Sequence, residues 1–244
     1  MSQRPPRWSS LGAAGVVYAD VSGYSQLVYQ SIDTPERLDR LALGMSRLLA
    51  HDQDRWPGVA IEGYAGDGFV AVCDHPKPAR LAHRFAQDLH ARFADQVRPL
   101  LMDLGFRVDV RLRVAFDVGK VVRVELDGAP PGSSTPGAHP PAAAPPDIAS
   151  PDTNHTPAAR SVLMSECAIV AARIASGQCC RRFGTAMSRR AYKRLMLAGG
   201  KAVRDPDEVI QDRNRFPEPI DVYRLHPDET ASIDAPRPDS PGVD

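Results

Sequence analysis

Val17-Tyr18-Ala19-Asp20-Val21-Ser22-Gly23-Tyr24-Ser25, read together with Glu62-Gly63-Tyr64-Ala65-Gly66-Asp67-Gly68-Phe69-Val70-Ala71-Val72, decides the fold. In the first stretch an apolar run ends on Asp20 and is interrupted by a Ser-Gly pair, the pattern of a buried strand meeting a tight turn. In the second, two short apolar runs flank Gly66-Asp67-Gly68, the pattern of a hairpin with Asp67 at its tip. Each alone is an ordinary motif. An Asp at a strand end serves as a turn former or helix N-cap, and Gly-Asp-Gly hairpins are common. Together, in this order and with a helical segment between them, they deliver two carboxylates from two strand ends. Hard oxygen donors presented in this way suit Mg2+ or Mn2+.

Working outward, a strand is expected over 16–21 and the hairpin strands over 59–65 and 69–73. Between them Leu38, Leu41, Met45, Leu48 and Leu49 recur at helical spacing over 35–51, with Thr34 as N-cap and Pro35 in the first turn. Leu81, Phe85, Leu89, Phe93, Val97 and Leu101 predict one long amphipathic helix over 78–104. Val108, Val110, Leu112, Val114 and Phe116 alternate with Asp109, Arg111, Arg113 and Ala115, which predicts a half-buried strand. Gly119 reads as its end, with a further strand over 121–126. A helix is expected over 162–176, a strand over 180–187, a helix over 188–198 capped by Ser188, and a last strand over 220–225. Strands and helices interleave around an embedded hairpin. That order argues for an α+β fold, a largely antiparallel sheet with helices on one face.

Segment 128–158 is rich in Pro, Ala, Gly, Ser and Thr and has almost no large apolar side chains, so it reads as a flexible insertion. It is expected to sit in a loop of a single domain spanning 13–227, with 1–12 and 228–244 as disordered ends. The formal net charge is zero and the basic residues are scattered, which gives no reason to expect a nucleic-acid partner. No run of about 20 apolar residues predicts a membrane span. The N-terminus lacks the apolar core of a signal peptide. Cys73, Cys167, Cys179 and Cys180 form no C-x-x-C pair, which suits buried, inert thiols and a cytoplasmic location. His83 and His90 are not at the i, i+4 spacing of a metal pair, and no phosphate-binding G-x-x-x-x-G-K-[ST] loop is present.

The two aspartate motifs resemble those of the class III nucleotidyl cyclases, roughly F-x-D-[IV]-x-G-[FY]-[ST] followed by G-D-x-[FYM]. Arg113-Val114-Ala115-Phe116-Asp117-Val118-Gly119-Lys120-Val121 resembles that family's R-x-G-[IV]-x-x-G-x-[VA] element. Ala168-Ile169-Val170-Ala171-Ala172-Arg173-Ile174 resembles its V-N-x-A-[SA]-R-[LM]. The resemblance covers 16–225 apart from the insertion. It implies a ferredoxin-like α+β sandwich that converts an NTP to a 3′,5′-cyclic nucleotide and pyrophosphate. It implies two Mn2+ or Mg2+ ions per site, held by Asp20, Asp67 and the backbone carbonyl of Val21. Ser22, Gly23, Tyr24 and Ser25 would turn their amides toward the phosphates, and Arg173 would stabilise transition-state charge. It also implies a homodimer with its sites at the interface, one chain supplying the aspartates and the other the arginine.

The departures are as informative. Ile169 stands where the family has an asparagine, and it cannot donate a hydrogen bond to the ribose oxygen. Gly63 and Val162 fall at the purine-reading positions and have no polar side chain to meet a base edge. Arg213 and Arg215 are the candidates for the lysine of the family's last hairpin. In these departures the chain most resembles the stand-alone bacterial pyrimidine (uridylate/cytidylate) cyclases of the Pycsar anti-phage systems. That resemblance implies UTP, ahead of CTP, as substrate, with Tyr64 against the base and cUMP as a second messenger in anti-phage defence. An adenylyl or guanylyl cyclase with an atypical base pocket, and a catalytically weak nucleotide-binding homologue, are the alternatives.

Overall fold

A computed structural model describes residues 7–49, 55–65, 68–106, 109–126, 160–198, 203–212, 216–226 and 229. The 128–158 insertion, Gly66, Asp67, Arg213 and Arg215 lie outside the described residues, as do the side chains of Tyr64 and Val162. The chain runs β1 (Arg7–Ser22), α1 (Tyr24–Ser31), α2 (Pro35–Leu49), β2 (Val59–Ala65), β3 (Gly68–Cys73) and α3 (Pro78–Arg92). A π-helical turn (Phe93–Val97), α4 (Arg98–Asp103), β4 (Arg111–Leu126), β5 (Arg160–Met164), α5 (Glu166–Ala175) and α6 (Gln178–Phe183) follow. The last elements are β6 (Thr185–Ser188), α7 (Arg189–Ala198), β7 (Glu208–Ile210) and β8 (Ile220–Tyr223).

All strands join one sheet in the order β2-β3-β1-β4-β6-β8-β7, with β5 paired to β4. Among the described residues only the β4–β6 pair is parallel. Alternation along β1 and β4 sends Val17, Ala19, Val21, Val114, Phe116 and Val118 into the main core, with Leu41, Phe85, Leu89 and Tyr192 from the helices. Ala115, Val170, Ile174 and Cys180 pack on the opposite face. The sheet therefore carries α5 and α6 on one side and the remaining helices on the other, rather than helices on one face only.

Several local expectations are corrected. β1 begins at Arg7, paired with Glu125, within the stretch expected to be disordered. Gly119 does not end a strand. β4 runs unbroken through it, and the missing side chain is what lets α5 approach, since a Cβ there would lie 2.6 Å from Cys167 Sγ. Residues Val162 to Met164 pair with β4 instead of opening the helix, which starts after Ser165, whose hydroxyl accepts from Cys167 N at 3.1 Å. Cys179 and Cys180 lie in a short helix ending at Gly184 (φ 81°), so the strand shortens to Thr185–Ser188. The long helix is interrupted because Pro99 has no N–H for a carbonyl four residues back and its ring needs room there. The chain widens by one π turn, with Arg98 N bonded to Phe93 O. Ser188 does cap α7, accepting from Ala191 N at 3.2 Å.

Candidate active site

β1 presents Asp20 on the α5 face of the sheet, directly opposite Arg113 of β4. The guanidinium of Arg113 donates through Nη2 to Asp20 Oδ2, and the Asp20 side chain is only 12% exposed. Arg113 Nε is buried with no hydrogen-bond partner among the described residues. Ser22 closes the ladder with its own hydroxyl, donating to Arg111 O at 3.1 Å and accepting from Arg111 N at 3.3 Å. Gly23 then takes φ 85°, a left-handed value that a side chain disfavours, and α1 begins at Tyr24 with no side-chain cap. Gln26 N and Leu27 N both donate to Gly23 O, at 3.0 and 3.1 Å, which winds the first turn of α1 tightly directly beyond Asp20. Tyr24 packs against the main core and Ser25 is exposed.

The hairpin lies where the sequence predicts. Ala65 pairs with Gly68, which leaves Gly66 and Asp67 as its two-residue connection. Ala19 pairs with Phe69, so the strand ends that flank this connection lie beside Asp20. The approach is tight, because a Cβ on Gly68 would meet Ala19 O at 2.8 Å. Among the described residues no group of three or more His, Cys, Asp or Glu side chains forms a cluster able to hold a metal; Asp67 is not one of those residues. The donors expected for a divalent ion, carboxylate and backbone oxygen, are hard ligands that fit Mg2+ or Mn2+, and at Asp20 such an ion meets a carboxylate already engaged by Arg113.

α5 packs through Cys167, Val170, Ala171, Ile174 and Ala175 and turns Ile169 and Arg173, one helical turn apart, outward. Ile169 is 58% exposed and the Arg173 side chain 39%, its Nη2 lying 3.3 Å from Asp212 Oδ2. Tyr18, Val70, Ala168, Ile169, Ala172 and Arg173 line a cavity of about 430 Å3 on the Asp20 face of the sheet. The structure thus brings Asp20, the 22–25 turn and the hairpin together at one end of β1, with Arg173 on the same face.

Two polar constellations escaped sequence reasoning. Glu62 is the extra residue of a β-bulge between Ile61 and Gly63, and its carboxylate takes a two-pronged grip from Arg123. Asp117 is fully buried and accepts from Val118 N at 2.7 Å, from Ser188 Oγ and from Arg190. The one available signal for Asp117 was an acid inside the apolar run Val114 to Val118. Burial pushes the Cys167 and Cys179 thiols up to about 11 and that of Cys180 to about 12, and that of Cys73 higher still. These inert thiols agree with the sequence reading. No helix among the described residues is long and apolar enough to cross a membrane.

An eight-stranded, mostly antiparallel sheet with helices on both faces and a carboxylate at a central strand end defines an α+β sandwich. Solved structures make the class narrower. The adenylyl cyclase CyaB from P. aeruginosa superposes with a TM-score of 0.59 at 12% identity, over 89% of this chain and 94% of that one. The non-canonical dimeric guanylyl cyclase domain of the RhoGC fusion protein from the fungus Blastocladiella emersonii gives 0.53 at 16% identity, over 88% and 96%. A class III adenylyl cyclase-like ATP-binding protein from Pseudomonas aeruginosa gives 0.55 at 18%, over 79% of this chain and 36% of that one. No family model matches the chain, and no curated protein matches it in sequence. What these likenesses establish is the architecture: the chain has the fold of a class III nucleotidyl cyclase domain.

Proposed function

We propose that this chain is a nucleotidyl cyclase that converts an NTP to a 3′,5′-cyclic nucleotide and pyrophosphate, with UTP as substrate and cUMP as product. The observation that carries the reading is the meeting of Asp20, the start of α1 after Gly23 and the hairpin strand ends Ala65 and Gly68 at one end of β1, in a fold shared with solved cyclase domains. Asp20, Asp67 and the Val21 carbonyl would hold Mg2+ or Mn2+, which when bound neutralises triphosphate charge and acidifies the ribose 3′-hydroxyl. The amides of Ser22, Gly23, Tyr24 and Ser25 orient the phosphates. The ribose 3′-oxygen forms a bond to the α-phosphorus as the bond from that phosphorus to the bridging oxygen breaks. Pyrophosphate leaves with that electron pair, and the hydroxyl proton passes to solvent. Arg173 stabilises the charge that develops on the α-phosphoryl oxygens.

The outward Ile169–Arg173 face of α5 suits a homodimer in which Arg173 acts on the partner's nucleotide, and the fungal relative is a dimer by its own description. A cytoplasmic cyclase making a second messenger in anti-phage defence is the physiological role proposed with it. The exposed Ile169 favours one second reading, a nucleotide-binding domain with little turnover, as for the cyclase-like ATP-binding protein. Incubation of the purified chain with each of the four NTPs and Mn2+, followed by mass spectrometry, separates the two. A cyclic monophosphate with pyrophosphate supports the cyclase. Binding without product supports the second reading, and product from ATP or GTP faster than from UTP and CTP refutes the pyrimidine assignment.

A further inference from the structure

Resting on the nucleotide site just proposed, we infer that Asp212 is a positioning residue for Arg173. Its carboxylate holds the Arg173 guanidinium where that group can meet the α-phosphoryl oxygens, and it does not itself touch the nucleotide. Arg173 Nη2 lies 3.3 Å from Asp212 Oδ2, between side chains that are 39% and 15% exposed. The two residues come from different elements, Arg173 from α5 and Asp212 from the segment just beyond β7. Among the described residues Asp212 is the only carboxylate paired with Arg173, and Arg173 is its only cation.

Both backbones are fixed without this ion pair. α5 is seated by Val170, Ile174 and Ala175 in the core on its face of the sheet. Ile210 and Phe216, on either side of Asp212 in sequence, pack against the same cluster. Phe216 N also donates to Asp212 O at 2.9 Å, which closes the chain into a turn there. On the helix, Ser176 Oγ donates to Arg173 O at 2.7 Å. What the pair adds is therefore the placement of one long side chain. An arginine gives up much rotamer freedom when it is held in one geometry, so a held arginine needs a partner. Ile169, one turn earlier on the same outward face of α5, has no polar atom to supply one. Asp212 supplies it from outside the helix.

The contact orients the guanidinium without consuming it. At 3.3 Å it is longer than the roughly 2.7–2.9 Å of a full charge-assisted hydrogen bond. It engages one of the roughly five N–H donors of the group. Arg173 Nε is buried with no hydrogen-bond partner among the described residues. Arg173 and Phe216 both line the 430 Å3 cavity, so a phosphate entering that space meets a guanidinium that is already tethered. A cation placed beforehand stabilises developing charge without the cost of being ordered at the moment of reaction.

The test is a double-mutant cycle on kcat and KM, with Mn2+ and whichever NTP the parent chain turns over fastest. Asp212→Ala should lower kcat by about 10-fold and move KM by less than about 2-fold. In an Arg173→Met background the same substitution should change kcat by less than about 2-fold, because its target is gone. In 15N spectra of the arginine side chains, the Arg173 guanidinium signal, identified by its absence in Arg173→Met, should shift in Asp212→Ala while circular dichroism stays native. An unchanged or raised kcat in Asp212→Ala, an equal loss in both backgrounds, or an unshifted Arg173 signal overturns the inference. A parent chain that makes no cyclic product from any NTP refutes the cyclase reading. In that case a shifted Arg173 signal still sustains the hold of Asp212 on Arg173, and an unshifted one overturns both.

Discussion

Replacing Gly119 by Ala tests whether α5 is seated by the contact that this glycine permits. The new Cβ would lie 2.6 Å from Cys167 Sγ, inside any real contact distance, so the helix or strand must yield by about 1 Å. Overpacking of this kind costs about 1–3 kcal/mol. The φ of Gly119 is not among the positive values, so Ala also regains about 0.5–1 kcal/mol through the unfolded chain. The net expectation is a loss of about 1–2 kcal/mol. Cys167→Ala alone removes one buried sulfur and should cost about 1 kcal/mol. In the double variant the added carbon occupies the space the sulfur left. Its stability should then exceed the sum of the single effects by at least about 1 kcal/mol. Equilibrium urea unfolding of the four proteins, with unchanged m-values, gives the cycle. Additivity within about 0.5 kcal/mol would refute the argument that Gly119 exists to let Cys167 approach. Because α5 carries Ile169 and Arg173, Gly119→Ala should also lower turnover, and Cys167→Ala should restore part of it.

The remaining expectations are brief. With Cys167 at about 11 and Cys180 at about 12, at most on the order of one in a thousand of these thiols is ionised at pH 8. A disulfide reagent should therefore react rapidly with none of the four thiols until urea is added; fast labelling of the native chain would contradict the burial. Burial holds the His90 imidazole below its ordinary value, and its Nε2 lies 2.8 Å from Thr185 Oγ1. The unfolded chain then binds more protons, so stability is fully present above about pH 6.5 and falls as pH drops through the folded value. His90→Gln should flatten the dependence of the urea midpoint between pH 5 and 7, and an unchanged slope would assign it elsewhere. Asp20→Asn should lower turnover by about 1,000-fold or more while circular dichroism stays native, because the proposed metal ligand is lost; near-normal rates would remove Asp20 from the site. Asp20→Ala chains mixed with Arg173→Ala chains should regain activity, and verified heterodimers without any would exclude the shared site.

Alternation and turn chemistry made much of the fold legible. Asp20, the hairpin around Gly66 and Asp67, α2 and the capping role of Ser188 are all local patterns, set by residues near one another in sequence. Gly119 and Val162 to Met164 were misread for a tertiary reason. A glycine that ends one strand and a glycine that admits a helix look the same, and a short apolar run pairs or coils according to its neighbours. β7, three residues with a charged first position, offers no period to detect. The ion pairs were invisible for a plainer reason. Asp20 and Arg113 are 93 residues apart and Glu62 and Arg123 are 61 apart, and only strand register and tertiary folding bring them together.

The π turn in the long helix has a consequence for helical phase. Phe85, Leu89, Phe93, Val97 and Leu101 are spaced by four, and each step of four in an α-helix advances about 40° beyond a full revolution. Unrelieved, that drift would carry Leu101 well around the cylinder from Phe85, yet all five are buried. The wider turn at Phe93–Val97 absorbs most of two such steps and resets the azimuth. A one-residue deletion within it would convert the wide turn into an ordinary α turn and leave Arg98–Asp103 near its present azimuth, so Leu101 should stay buried and the variant should stay folded. The same deletion in the regular helix before it would rotate everything downstream by about 100°.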